Sequence, residues 1–209
     1  MPTVGIVPFF SQQDKATGRI LLRSCGETKA SVYVAARLAE AGWRVRLLLP
    51  RRVRCADWPA VHPAVEIVEA DVPADNQRQR VWFDPAAWDA LFADADLAFV
   101  FHECLGWPLK HIYPRLRVVQ FTTVPAGEAW PWTTPLLRAS WAAVDVNAVY
   151  SDPMARHVAA QLALTGVSRE SPTVWPFAFD AANFPDDQVP ARDVDVLFVP
   201  RGSSTSSMR

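Results

Sequence analysis

Apolar residues fall along the chain in two kinds of run. Val4 to Phe10, Trp43 to Pro50, Val65 to Ala70, Leu97 to Phe101, Leu116 to Phe121 and Val146 to Tyr150 are short apolar runs bounded by proline or polar residues. They predict strands. Segments with helical spacing lie between several of them. The clearest is Ser24 to Pro50, SCGETKASVYVAARLAEAGWRVRLLLP. Ser24 and Glu27 have the spacing of a capping box, in which each side chain bonds the other residue's backbone N–H. Ala30, Val34, Leu38 and Ala41 follow as an apolar face, with Arg37 and Glu40 on the wet side. Gly42 is the expected stop, because glycine takes the left-handed conformation after a helix at little cost. With the strand before it, this stretch makes strand, loop, helix, strand, the unit that builds parallel sheets.

The rest repeats that alternation. Asp84-Pro85 reads as an N-cap and first helical residue, opening a helix to about Ala93. Leu97 to Phe101 is almost wholly apolar, as a strand buried on both faces should be. A short helix is expected to end at Tyr113 and another to cover Leu136 to Ala143. Asp152-Pro153 reads as a further cap, opening a helix to Leu164 that Gly166 closes. Thr173 to Trp175 and Val194 to Val199 are expected strands. The fold expected is therefore α/β, Rossmann-like, a mainly parallel sheet in the order 3-2-1-4-5-6 with helices on both faces. Residues 1–185 form the main domain in this reading. Residues 186–209 are a linker and the first strand of a truncated second domain.

The totals narrow the class. Half of the 209 residues are hydrophobic, which allows a sizeable core, and the net charge of −1 gives no reason to expect nucleic acid. Cys25, Cys55 and Cys104 are odd in number and form no CxxC, so neither a zinc site nor a disulfide framework is indicated. No metal is expected. The first residues run directly into strand pattern with no basic leader, and no apolar stretch approaches the roughly 20 residues that span a bilayer. The cytoplasm is the expected compartment. There is no GxGxxG and no GxxxxGK[ST], and HECLGWPLKH is not HExxH.

Position singles out a few side chains. Gly26 and Glu27 stand at the amino end of a helix, where unpaired N–H groups suit a phosphate. They equally suit an ordinary capped start, with Glu27 used as the box partner. His102 and Glu103 follow the buried strand at its carboxyl end, where ligands of open α/β sheets bind. Histidine can hydrogen-bond a hydroxyl or move a proton, and glutamate can accept from hydroxyls. The alternative is a histidine satisfied by a neighbouring carbonyl. Thr122, Thr123 and Glu128 lie after the fifth strand. Trp130 and Trp132 could stack on sugar faces, though core packing explains tryptophans as well.

Four stretches together resemble the amino-terminal domain of GT-B glycosyltransferases, in the retaining group of glycogen synthases, sucrose synthases and bacterial mannosyltransferases. They are GETKASVYVAARLAEAGWRVRLLLP, then DLAFVFHE, then VYSDPMARHVAAQLALTG, and last WPFAFDAANFP with Pro176, Asp180 and Phe184. DVDVLFVPR then looks like the first strand of that family's second domain, ending at Arg201. The chain departs from the pattern at Pro200, where glycine is usual, and at Thr122, where many members carry histidine. The family's second domain has no counterpart in these residues.

The resemblance implies transfer of a glycosyl group from a nucleotide sugar to an acceptor hydroxyl, with the nucleotide sugar as substrate, no cofactor, and no metal in most members. It implies catalytic roles for His102 and Glu103. Gly26, Glu27 and Arg201 would face the donor diphosphate. Thr122, Thr123, Glu128 and Trp130 would line the acceptor side. The partners implied are the nucleotide sugar, a carbohydrate or other hydroxyl acceptor, and the carboxyl-terminal domain. Alone, the chain is expected to bind donor weakly and transfer nothing. The rival readings are a nucleotide-sugar 2-epimerase of the same fold and a non-catalytic binding or partner domain.

Overall fold

The computed structural model describes residues 1–8, 26–50, 60–70, 84–101, 104–122, 134–164, 166 and 172–175; the side chains of Gly26, Glu27, Thr28, Pro50 and Thr134 fall outside that description. The chain divides into two units, Met1–Phe177 and Ala178–Arg209. The second, with the strand expected at Val194 to Val199, lies outside the described residues.

Among the described residues, seven strands make one sheet: β1 (Thr3–Val7), β2 (Arg44–Pro50), β3 (Val65–Ala70), β4 (Leu97–Val100), β5 (Arg117–Thr122), β6 (Val146–Val149) and β7 (Thr173–Val174). Their order is β3-β2-β1-β4-β5-β6-β7. All six ladders are parallel. The expected order of six strands is the observed one, and β7 adds to the outer side of β6. The first strand is shorter than its apolar run. It ends at Val7, where Pro8 has no N–H to extend a ladder.

Among the described residues, five helices lie between the strands: α1 (Gly26–Glu40), α2 (Pro85–Phe92), α3 (Gly106–Ile112), α4 (Thr134–Ala143) and α5 (Asp152–Ala163). Gly42 closes α1 with φ of +85°. Its N–H donates to the Ala39 carbonyl at 3.0 Å, and the Trp43 N–H donates to Leu38 at 3.0 Å. Those two bonds are the Schellman pattern, which satisfies carbonyls the helix end would leave open. Asp84 caps α2 as expected, accepting from the Ala87 N–H at 3.2 Å. The cap of α5 differs from expectation by one residue. Ser151, not Asp152, is extended and accepts from the Met154 N–H at 3.4 Å. Asp152 becomes the first helical residue, where its charge meets the positive end of the helix dipole.

The sheet is covered on both faces. Val32 and Ala35 of α1 share one buried cluster with Val4, Ile6, Leu47, Leu49, Phe99, Phe101 and Phe121. The buried centre of α1 is Ser31, Val32 and Ala35; Ala30, Val34 and Leu38 form its half-buried shoulder, and Ala41 is exposed. The apolar face is thus turned from the one the spacing suggested. On the other face Val7, Leu48, Val100 and Val118 meet Trp88, Leu91 and Phe92 of α2 and Leu109 of α3. A third cluster gathers α4 and α5 around Val149 through Leu137, Trp141, Met154, Val158 and Leu162.

Close approach makes Gly5 obligatory in β1. A Cβ there would stand 2.6 Å from Phe92 Cε1 and 2.9 Å from the Leu91 carbonyl oxygen, so ring or helix must move. Gly5→Ala is expected to cost about 1–3 kcal/mol as an overpacking change. Urea unfolding checks this; an unchanged midpoint would show that α2 yields freely.

Candidate functional site

The two edges of the sheet differ in chemistry. At the amino edge, polar groups are used up in pairs. Asp96 donates its N–H to the Thr3 carbonyl at 2.9 Å and accepts the Thr3 N–H at 2.8 Å. Asp145 does the same for Val118, at 3.0 and 2.7 Å. Lys110 adds an ion pair to Asp145 at 3.1 Å and donates to the Leu116 carbonyl at 2.9 Å. Arg46 enters the core face at 6% exposure because Asp94 grips both terminal nitrogens of its guanidinium, one at 3.0 Å. That bond holds Arg46 above its ordinary pKa and the Asp94 carboxyl below its own. Glu66 stands 3.5 Å from Arg46 Nε. These groups are structural, closing strand starts and neutralising one buried charge.

The carboxyl edge is where the chain changes direction. The order β2-β1-β4-β5 puts β1 beside β4, although the connection from β1 leads outward to β2. Such a change of winding is where open α/β sheets in general bind their ligands. Val7 pairs with Val100, and the Phe101 N–H donates to the Val7 carbonyl at 2.9 Å. His102 and Glu103 are the next two residues. They lie outside the described residues, but their flanks do not: Phe101 is 3% exposed and Cys104 and Leu105 are fully buried. Because β1 and β2 are parallel, α1 must run back from the carboxyl edge, so Gly26, its first residue, starts there too. The side chains of Glu27 and of the proposed cap Ser24 are outside the described residues, as are Thr123, Glu128, Trp130, Trp132 and Arg201.

Thr122 is described, and the structure corrects its expected role. It ends β5 with 0% exposure, and its Oγ1 accepts the Trp141 indole N–H at 2.9 Å. The hydroxyl belongs to the core and has no face for an acceptor sugar. Tyr113, whose hydroxyl donates to Asp89 at 2.6 Å, is held above the ordinary phenol pKa first by burial and then by that bond. It serves the packing of α2 against α3. Among the described residues no three His, Cys, Asp or Glu side chains are grouped to hold a metal ion.

Two polar residues at the start of α3 escaped the sequence reading. Gln120 Oε1 accepts the Gly106 N–H at 3.0 Å, and Ser140 Oγ accepts the Trp107 N–H at 3.1 Å. Gln120 was detectable as the lone amide inside the apolar run LRVVQFT. Nothing in the sequence linked it to Gly106.

No family model matches the chain, and no curated protein matches it. Twenty-two chains of solved structures do. One is the N-terminal domain of trehalose-6-phosphate phosphatase from Candida albicans, similar with a TM-score of 0.55 at 14% identity, over 89% of this chain and 50% of that one. The chain spans about half the length of that structure. At that identity the likeness is one of fold, and it agrees with the observed sheet: the protein is a Rossmann-like α/β domain. No helix among the described residues is long and apolar enough to cross a membrane.

Proposed function

We propose that this chain is the amino-terminal, acceptor-side half of a GT-B glycosyltransferase. In the reaction, an acceptor oxygen bonds the anomeric carbon of a nucleotide sugar as the bond from that carbon to the diphosphate breaks. The hydroxyl proton leaves and the nucleoside diphosphate is released. The supporting observation is the position of His102 and Glu103. They follow Phe101, the residue just beyond the strand that adjoins β1 at the change of winding, where open α/β sheets hold ligands. The sequence resemblance over four ordered stretches supports the same reading. The solved domain of similar fold comes from an enzyme named for a phosphorylated sugar.

In this proposal His102 contacts the reacting sugar or moves a proton, and Glu103 accepts from sugar hydroxyls. The start of α1 at Gly26 and Glu27, with Arg201, faces the donor diphosphate. Thr123, Glu128 and Trp130 serve the acceptor; Thr122 does not. The proposed compartment is the cytoplasm.

The test is an assay of the complete natural protein with a panel of nucleotide sugars, with and without hydroxyl acceptors. Release of nucleoside diphosphate that depends on acceptor is the expected result. Release without acceptor, accompanied by an epimerised free sugar, would instead favour the 2-epimerase. Absence of both turnover and donor binding would leave the partner-domain reading.

A further inference from the structure

We propose that Gln120 of β5 and Asn147 of β6 hold one buried water molecule between them. The two residues are register partners in the ladder that joins those strands. Register partners on parallel strands project from the same face of the sheet, and neighbouring strands lie about 4.8 Å apart. Both side chains are shut away from bulk solvent, Gln120 at 0% exposure and Asn147 at 7%.

One end of each amide is already engaged. Gln120 Oε1 accepts the Gly106 N–H at 3.0 Å, at the start of α3. Asn147 Nδ2 donates to the Trp141 carbonyl at 2.9 Å, on α4. These bonds settle which end of each amide is which. Flipping Gln120 would set its NH2 against the Gly106 N–H, and flipping Asn147 would set its oxygen against a carbonyl. The other two ends, the Gln120 Nε2 donor and the Asn147 Oδ1 acceptor, are buried with no hydrogen-bond partner among the described residues.

Leaving either group unpaired is destabilising, and buried polar groups with no protein partner are ordinarily satisfied by ordered water. These two are complementary. A water oxygen accepts from Nε2, and a water proton goes to Oδ1. Two bonds of about 2.9 Å meeting at a tetrahedral angle span about 4.7 Å, close to the spacing of the two strands. A direct bond would require one amide to swing toward the other. Gln120 resists that, because a Cβ on Gly106 would lie 2.4 Å from its Oε1 and 3.3 Å from its Cδ. The glutamine is therefore held against the backbone of α3. The water completes a buried polar layer that joins two strands to two helices: Gln120 to Gly106, Ser140 to Trp107, and Thr122 and Asn147 to Trp141.

The water site is independent of the glycosyltransferase reading. A crystal structure of the chain at a resolution that orders solvent is expected to show one water within about 2.7–3.2 Å of both Gln120 Nε2 and Asn147 Oδ1. In solution, the side-chain amide protons of Gln120 should give a cross-relaxation peak at the water frequency, with the sign of a water that tumbles with the protein. Asn147→Leu removes the acceptor and fills its space, so that peak should be lost. The two measurements on the parent decide the matter even if this variant fails to fold. A direct bond between Nε2 and Oδ1, a separate partner for each atom, or no water at that place in the crystal overturns the proposal. So does absence of the peak in the parent, or its survival in a folded Asn147→Leu protein.

Discussion

Trp141→Ala is expected to destabilise the domain by about 3–5 kcal/mol, the usual range for removing a fully buried tryptophan. Against a typical total of about 5–15 kcal/mol this is a large fraction. Trp141 is fully buried at the centre of the cluster where α4 and α5 meet β6. Two losses add there. The cavity would strip contacts from Leu137, Met154 and Val158, and the Thr122 hydroxyl would lose its indole donor at 0% exposure. Trp141→Phe separates them, since it keeps much of the ring volume but gives no N–H. Its cost should be smaller. Thr122→Val, which removes the hydroxyl, should then lose less in the Trp141→Phe background than in the parent, because no bond remains to break. Urea unfolding measures the parent and all four variants. A Trp141→Ala loss below about 1 kcal/mol would mean that the cluster collapses around the gap.

That tryptophan also shows where sequence reading stops. The strand order was legible because short apolar runs alternate with helix-spaced segments, and parallel crossovers leave few arrangements. Helix ends were legible where one residue type dominates the conformation. Gly42 has a positive φ, and Asp84 before Pro85 accepts from the backbone N–H three positions further on. The reading slipped where neighbours offer equivalent chemistry. Ser151 and Asp152 can each cap a helix, and the chain uses the serine, leaving Pro153 one place deeper. It slipped again where tertiary contact decides. Thr122 after an apolar strand looks like a loop hydroxyl. Its partner, Trp141, lies on α4, and no local pattern joins the two. Arg46 likewise sits within an apolar strand yet is buried, because Asp94 follows α2 on the adjoining layer. For the proposed site, the sequence marked the exit of β4, and the ladder from β1 to β4 puts that exit beside the end of β1. How the His102 and Glu103 side chains are arranged there lies outside the described residues.

His102→Ala is expected to lower acceptor-dependent transfer by about 10²-fold or more in the complete protein, in line with loss of a general acid–base group. Its expected effect on unfolding free energy is within about 0.5 kcal/mol, as for substitutions away from core contacts. The contrast follows from placement. His102 stands one residue past the last ladder bond of β4, the Phe101 N–H to Val7, so no strand pairing is lost with its side chain. Phe101 before it and Cys104 and Leu105 behind it carry the burial on either side. Thr122→Val makes the opposite change. It should destabilise the core through the lost Trp141 bond while leaving turnover per folded molecule unchanged, since that hydroxyl is shut away from any acceptor. The pair thus separates chemistry from folding at two neighbouring strand ends. Turnover is measured with the cognate acceptor at saturating donor, and stability by urea unfolding of the same preparations. Equal turnover in His102→Ala and the parent would remove His102 from the site. A drop in turnover matched by an equal loss of folded protein would make it a structural histidine instead.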